Sequence, residues 1–406
     1  MPGPQLLTAV ELFCGAGGMA LGVARAGFRT IAAIDFDDLA CETLRMNKRR
    51  GVAPVTDWNV IEQKVSSIDF AVYEGRIDLV SGGPPCQPFS QAGRNTGRKD
   101  RRDGFPDMIA AVRQIRPKAF ALENVPGILR AGNLDYFNYI LLQLQYPTVV
   151  RRHRETWKAH RARLERIYTS GENVDVHYKV IHQRLQATDF GIPQRRERVF
   201  IVGIRYDLGV SYSFPLPTHS REALLWTQFR KEDYWERHQI PTQARKKLKE
   251  QILSHVTKLP EIEPTLAPWR TVRDAISDLS EPAAKNSENE LEGHFINPGA
   301  RAYPGHTGSL LDCPSKTLKA GQHGVPGGEN TLCLNDGSVR YFTVRECARL
   351  QTFPDQWYFC GAWTRKMRQL GNAVPVDLAA VVAKPLASAL CSGHSGAKHV
   401  KPAKAS

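Results

Sequence analysis

One cysteine in this chain stands where a nucleophile would be useful. Asp78-Leu79-Val80-Ser81 reads as a buried strand that runs into Gly82-Gly83-Pro84-Pro85-Cys86-Gln87-Pro88-Phe89-Ser90. The Gly-Pro turn is rigid and presents a single thiol, and the stretch from there to Asp103 is rich in Gly, Arg and polar residues. A thiol at a strand end beside a basic loop is a candidate nucleophile, because cationic surroundings favour the thiolate. A lone cysteine is more often a small buried apolar residue. The paired prolines and the loop chemistry reverse that preference here.

Two other segments carry groups that could assist a thiol. Glu123 follows the apolar run Phe120-Ala121-Leu122 and is followed by Asn124 and Val125. It is expected to be partly desolvated and able to carry a proton to a ring nitrogen; a structural carboxylate paired with an arginine is the competing reading. Gln194-Arg195-Arg196-Glu197-Arg198 leads into the strand-like Val199-Phe200-Ile201-Val202-Gly203. Alternation places Arg196 and Arg198 on one face, where two guanidinium groups could hold a base carbonyl or a phosphate. A surface ladder of ion pairs is the alternative.

A cofactor loop completes the set. Phe13-Cys14-Gly15-Ala16-Gly17-Gly18 lies between a first strand (residues 10–13) and a helix running to Arg25, and Asp35 ends the second strand. Glycines there let backbone approach a ligand closely, and a carboxylate at that point could accept both hydroxyls of a ribose. This suits any adenosine-containing cofactor and also fits a loose dinucleotide fingerprint. A glycine turn that only packs helix against strand remains open.

The elements that must position these groups are α/β. The first 205 residues alternate short apolar runs with helical patterns, with strands expected near 10–13, 30–34, 77–80, 119–122 and 198–204. That implies a doubly wound, largely parallel sheet with helices on both faces. Residues 206–342 are rich in Gly, Pro, Asn and charge, with an exposed helix expected over 242–256; helical patterning resumes over 343–390. Residues 391–406 are small, polar and Lys-bearing, and read as a disordered tail.

Composition bounds the partner. The chain has 406 residues, 55 Lys plus Arg against 41 Asp plus Glu, and a formal net charge of +14. Such an excess favours a polyanion, since each neutralised phosphate releases counterions. Seven of the cations cluster over residues 151–166, either as a helix along DNA phosphates or as a solvated face. Eight cysteines include no C-x-x-C pair and no zinc spacing, so no metal is expected. There is no secretory pattern and no apolar run of membrane-span length, which points to a cytoplasmic protein without a membrane partner.

Taken in order, these blocks resemble the bacterial DNA (cytosine-5) methyltransferase family. Phe13 to Gly18 is similar to its cofactor loop, and Pro84-Pro85-Cys86-Gln87 to its nucleophile block. Glu123-Asn124-Val125 and Gln194-x-Arg196-x-Arg198 are similar to its two base-pocket blocks. Arg345-Glu346-Cys347-Ala348-Arg349-Leu350-Gln351-Thr352-Phe353-Pro354 resembles the block after its target-recognition region, and Gln369-Leu370-Gly371-Asn372-Ala373-Val374-Pro375 its last block.

The resemblance implies a Rossmann-like S-adenosylmethionine methyltransferase domain over 1–205, a target-recognition domain over 206–342 and a return segment over 343–390. In it Cys86 would be the nucleophile, Glu123 would contact the cytosine ring, and Asn124 would brace the Cys86 loop. Arg196 would hold the base, with Arg198 supporting that pocket. Phe13, Gly15, Gly17, Gly18, Asp35, Phe36, Asp57, Pro85 and Asn372 would form the S-adenosylmethionine site. Asp57 is the choice for the adenine contact, with Asn59 as its alternative. Gln87, Ser90, Arg94, Arg102, Thr317 and Leu318 would contact DNA. The implied partner is duplex DNA, with a restriction endonuclease acting at the same site and a monomeric enzyme. The family's tRNA branch carries a Cys-Phe-Thr motif that this chain lacks, and the intact Cys86 and Glu123 argue against a silent DNA-binding protein.

Overall fold

The computed structural model describes residues 6–85, 103–243, 245, 250, 261–284, 291–302, 307–320, 328–334 and 336–394. Its centre is a seven-stranded sheet in the order β3-β2-β1-β4-β5-β7-β6. The strands are β1 (Leu7–Leu12), β2 (Phe28–Asp35), β3 (Asn59–Glu62), β4 (Leu79–Gly82), β5 (Ala119–Asn124), β6 (Tyr178–Gln186) and β7 (Glu197–Arg205). The first five run parallel, and β7 alone is reversed, antiparallel to both β5 and β6. The parallel part was expected; β3 and β6 were not. β3 is partly exposed, and β6 mixes Lys179, His182, Gln183 and Arg184 into its run, so neither gives a clean apolar signal.

Helices cover both faces, as buried parallel strands require. Val10, Leu12 and Ile34 pack against α3 (Phe105–Ile115) and α4 (Leu134–Gln145) through Phe105, Met108, Phe137 and Ile140. Ala9 points to the opposite face, where α1 (Gly18–Arg25) supplies Met19 and Val23. The long closing helix, Val376–His394, lies on that face through Leu378, Val382 and Leu386. The helical stretch from Trp363 to Ser392 is apolar enough (mean hydropathy 1.6) and long enough to cross a membrane, contrary to the reading of the sequence. However, 61% of that window is buried inside the protein, and its apolar side is core. The helix also carries through Cys391 to His394, which were expected in the tail.

α2 (Asp38–Arg49) begins at Asp37, whose side chain accepts from the Ala40 amide at 3.0 Å. It packs Leu44 into a third core with Trp58, Leu350, Phe353, Trp357 and Met367. Val272, Leu318, Leu332 and Phe342 belong to the same core, so the chain from 206–342 shares packing with the closing segment across the expected boundary. Its fixed point is the fully buried Asp312, which accepts from Arg273 Nε at 2.6 Å and Tyr234 Oη at 2.9 Å. The helix expected over 242–256 lies mostly outside the described residues.

The sheet's first helix and its last are in contact at a glycine. A Cβ added at Gly22 would stand 2.4 Å from the Val376 carbonyl oxygen and 2.5 Å from Ala379 Cβ. Gly22→Ala is therefore expected to destabilise the fold by about 1–3 kcal/mol through overpacking, read from the urea unfolding midpoint. An unchanged midpoint would mean the two helices separate at little cost.

Candidate active site

The parallel strands β1, β2, β4 and β5 all end at one edge of the sheet, and the loops that follow them surround a cleft of about 440 Å³. That volume falls in the range of small-molecule sites. Phe13, Asp35, Phe36, Pro85, Glu123 and Asn372 all line it, so six residues named from five separate sequence blocks converge.

The cofactor side is built by the turn after β1. Phe13 and Gly15 both take positive φ, at 53° and 51°, which brings the Gly15 amide onto Asp35 Oδ2 at 2.8 Å. Nothing lies within 4 Å of a Cβ built on Gly15, so the backbone there faces open space. Asp35 Oδ1 accepts from the Asp37 amide at 2.9 Å. Burial raises the Asp35 carboxyl above its usual range, while the Asp37 and Gly15 amides pull it back. Each oxygen keeps a lone pair for a ligand hydroxyl. Phe36 is 61% exposed beside it, an aromatic face on the cleft rim.

Three of the expected cofactor contacts need restating. Gly18 lines the cleft, and its missing Cβ admits the Val374 carbonyl oxygen at 2.3 Å. Gly17 does not line it; its Cα faces Leu44, Trp58 and Trp357, so the glycine serves packing. Asp57 is exposed in a 3₁₀ turn (Val55–Asp57) and is absent from the cleft lining, as is Asn59 at the start of β3.

The catalytic side is built by β4 and β5. Asn124 Nδ2 donates to the Pro84 carbonyl at 3.1 Å and fixes the turn two residues ahead of Cys86. Cys86, Gln87, Ser90, Arg94 and Arg102 lie outside the described residues; Pro85, the chain neighbour of Cys86, lines the cleft. Cys14 is the thiol that lines the cleft among the described residues. Burial first, then the charges of Asp35, Cys41 and Glu11, push it well above the ordinary thiol range, so it is no thiolate.

Glu123 is not the isolated carboxyl that the strand pattern suggested. Its Oε1 pairs with Arg198 Nε at 2.5 Å, with side-chain exposures of 10% and 12%. Its Oε2 lies 3.1 Å from where a Gly83 Cβ would be, so that glycine gives the carboxylate room. Arg198 also donates from Nη1 to the Glu197 carbonyl at 2.7 Å.

Arg196, expected to hold the base, does something else. It is fully buried, and Nη2 donates to the carbonyls of Gly371 and Ala373, both at 2.8 Å. Nη1 donates to the Leu318 carbonyl at 3.1 Å and to Gln194 Oε1 at 3.5 Å. It precedes β7, so the alternation that put both arginines on one face does not apply. Leu318 follows suit: its side chain is 1% exposed and packs in the third core, away from any DNA. Thr317 is partly exposed, and its hydroxyl donates to the Arg195 carbonyl.

Sequence reasoning passed over three residues that the cleft contains. Arg365 and Arg368 stand at its rim, with Arg368 Nη2 3.3 Å from Asp37 Oδ2. Glu11 lies inside β1, 1% exposed, hydrogen-bonded by the Ser81 hydroxyl, with Oε1 unpartnered. Burial pushes its carboxyl up to about 8, against the lowering effect of Ser81. A charged residue inside an apolar strand was the available signal.

Two outcomes follow. Arg196→Met leaves buried carbonyls without donors and is expected to cost about 3 kcal/mol or more, while Arg198→Met costs clearly less; equal losses in denaturant melts would reverse the two roles. For Glu11, the folded state holds a proton that the unfolded chain has released once pH exceeds 4.5, so stability falls as pH rises from there through about 8. The melting temperature of ligand-free Glu11→Gln should thus gain on the wild type between pH 5 and pH 8.5. Parallel pH curves would show that Glu11 is not the group titrating.

Comparison with known proteins agrees with this geometry. The C-5 cytosine-specific DNA methylase family matches residues 7–146 and 156–388. The Type II methyltransferase M.Eco47II of Escherichia coli is 34% identical over 386 residues, covering 94% of this chain and 78% of its own length. M.NgoMIV of Neisseria gonorrhoeae is 30% identical over 387 residues, covering 94% of this chain and 98% of its own. In fold, the S. pombe Dnmt2 methyltransferase aligns with a TM-score of 0.55 at 18% identity, over 95% of this chain and 98% of that one. The sheet, the cleft and the ordered blocks are those of a DNA cytosine-5 methyltransferase, and the chain belongs to the C-5 cytosine-specific DNA methylase family.

Proposed function

We propose that this enzyme methylates carbon 5 of one cytosine within a specific duplex DNA sequence, using S-adenosylmethionine and a transient covalent bond to Cys86. The observation that carries the reading is the Glu123–Arg198 pair, set against Gly83, three residues ahead of Cys86, on the cleft that ends in Asp35. A cytosine offers an amine, a ring nitrogen and a carbonyl along one edge. A carboxyl group and a guanidinium held side by side match that edge: the carboxyl accepts from the amine and, in its protonated form, donates to nitrogen 3, while the guanidinium donates to the carbonyl.

The donor residues fit S-adenosylmethionine. Asp35 offers oxygen lone pairs to a ribose, Phe13 and Phe36 offer aromatic faces, and the open backbone at Gly15 leaves room for the amino-acid part. When bound, the cofactor supplies an electrophilic methyl group. The rest falls to the chain.

Carbon 5 of cytosine is a weak nucleophile. The Cys86 thiolate adds to carbon 6, forming a C–S bond and sending the double-bond electrons toward carbon 5, while protonated Glu123 delivers its proton at nitrogen 3 and Arg198 holds the ring carbonyl, so that negative charge does not build up on the ring. After carbon 5 has gained the methyl, loss of its proton to water restores the double bond and expels Cys86 as thiolate, and the nitrogen-3 proton returns to Glu123. Asn124 keeps the Pro84 turn, and with it the root of the nucleophile loop, in place. The base must leave the stack to be reached, at a few kcal/mol, and the basic composition of the segment 87–103 suits a polyanionic partner.

The Type II relatives carry names from restriction systems. This favours a protective role beside a nuclease of the same specificity, with the enzyme working as a cytoplasmic monomer. On this reading the region 206–342, with Thr317, reads the target sequence.

The test is transfer of labelled methyl from S-adenosylmethionine to unmethylated DNA, with tRNA alongside and the product mapped at base resolution. Label at carbon 5 of cytosine in one short motif is expected, lost with Cys86→Ala and reduced by about a hundredfold or more with Arg198→Met. Label in RNA alone, or full turnover by Cys86→Ala, would overturn the substrate or the nucleophile respectively.

A further inference from the structure

The family match skips residues 147–155, and the structure gives that stretch a definite shape. It leads into α5 (Trp157–Ser170), which packs on α4 through Tyr139, Tyr146, Leu164 and Ile167. His160 is buried between them. Its Nδ1 meets the Tyr139 hydroxyl at 2.8 Å and its Nε2 the Val149 carbonyl at 2.8 Å. Burial lowers its pKa, so the ring is neutral at physiological pH and serves as a clamp.

A second clamp fixes the insert's own turn. Arg163 Nη2 pairs with Glu155 Oε2 at 2.8 Å and donates to the Val150 carbonyl at 2.9 Å, while the Arg152 amide donates to the same Glu155 oxygen at 2.8 Å. Arg154 adopts φ +61° in that turn. The backbone is thus held from both sides, and what it presents is charge. Arg151, Arg152, His153 and Arg154 are consecutive and exposed, and none of the three arginine side chains has a carboxylate partner among the described residues. On α5, Lys158 and Arg166 are exposed too, eight residues apart and so on one outward face. Arg161 and Arg163, by contrast, are tied up in ion pairs.

Placement decides the partner. Arg161 Nη1 reaches Asp135 Oδ1, in the first turn of α4, at 3.0 Å. Next to it, the Tyr136 hydroxyl bonds Asp103, the first described residue after the segment that contains Cys86. The insert is therefore folded back along the half of α4 that borders the catalytic side, rather than left at the helix's far end. Four adjacent side chains with fixed backbone and no internal counter-charge are suited to a regular array of phosphates, which in duplex DNA offers one charge per about 1.7 Å of axis.

We infer that the arm Arg151–Arg154, with Lys158, is a second DNA-contact surface that grips the phosphate backbone of duplex flanking the target sequence, independent of base identity. This rests on the DNA reading above. It makes the enzyme's footprint longer than its recognition sequence and adds affinity that salt removes.

The experiment compares the wild type with the triple variant Arg151→Ala, Arg152→Ala, Arg154→Ala, all exposed side chains whose loss leaves the clamps intact. Affinity is measured against salt on duplexes of about 12 and about 40 base pairs, both centred on the motif that the methyl-transfer mapping identifies, and on a tRNA transcript. On the long duplex the variant should bind at least about tenfold more weakly at roughly 50 mM salt, with the slope of log K against log salt reduced by about 2–3, near 0.9 per lost contact. On the short duplex the two proteins should agree. An unchanged slope on the long duplex would make the arm a solvated face and overturn the inference. An equal loss on both duplexes would place the arm at the target itself, and a loss confined to tRNA would assign it to RNA; either overturns it. Methyl transfer by the wild type, scored separately, tells a failure of the arm from a failure of the function.

Discussion

A single buried guanidinium joins the parts of this enzyme that must act together. Arg196 is enclosed completely, yet it donates to backbone carbonyls at Leu318, Gly371 and Ala373 and to the side chain of Gln194. Gln194 extends the knot to the Leu350 carbonyl and the Leu318 amide. Taking such a charge out of water is costly, and the acceptors at both Nη atoms offset that cost, although the buried Nε has no partner among the described residues. The arrangement therefore exists only when the start of β7, the recognition-region segment at 318 and the closing segment at 371–373 meet in one geometry. Arg198, the partner of Glu123, lies two residues away on the same chain. The position of the Glu123–Arg198 pair is thus set by an interaction outside the pair itself.

Of the four carboxyls that line the cleft, three stand in clearly different states. Glu123 is paired with a guanidinium, Asp35 is held by two backbone amides, and Glu11 is buried with one oxygen unpartnered. Their environments differ: one is held by Arg198, one by backbone amides beside Gly15, and one sits under the cleft floor, where a proton replaces the missing partner near neutral pH. Such division among chemically identical groups is a mark of functional sites. The same logic sorts the cysteines, since burial keeps Cys14 a thiol.

Much of this was legible in the sequence, and the exceptions have physical causes. The central strands β1, β2, β4 and β5 are buried on both faces and read as apolar runs; the edge strands β3 and β6 are not, and escaped notice. Glycine positions were found but not their uses, because Gly17 faces Leu44 and two tryptophans that are remote in sequence. Arg196 and Arg198 could not be told apart by alternation, since the acceptors that claim Arg196 come from 122 to 177 residues further along. Asp57 failed for a local reason: the chain turns there before β3 begins, leaving the side chain in solvent. The insert was visible as charge, whereas the His160 and Glu155 clamps that give it shape were not.

The contact between the first helix and the last has a consequence during synthesis. Arg25 bonds Asp377 across 352 residues, and Gly22 waits for the turn at Val376. A ribosome moving at about 5–20 residues per second takes roughly 20–70 seconds to cover that distance. Through that interval α1 packs only on the sheet, through Met19 and Val23, without the closing helix, and the cleft lacks the wall formed by Asn372 to Val374. The nascent chain is exposed to aggregation for most of its time on the ribosome, and it cannot hold its cofactor until nearly every residue has been made. Truncated products therefore carry Cys86 but not the complete cleft wall.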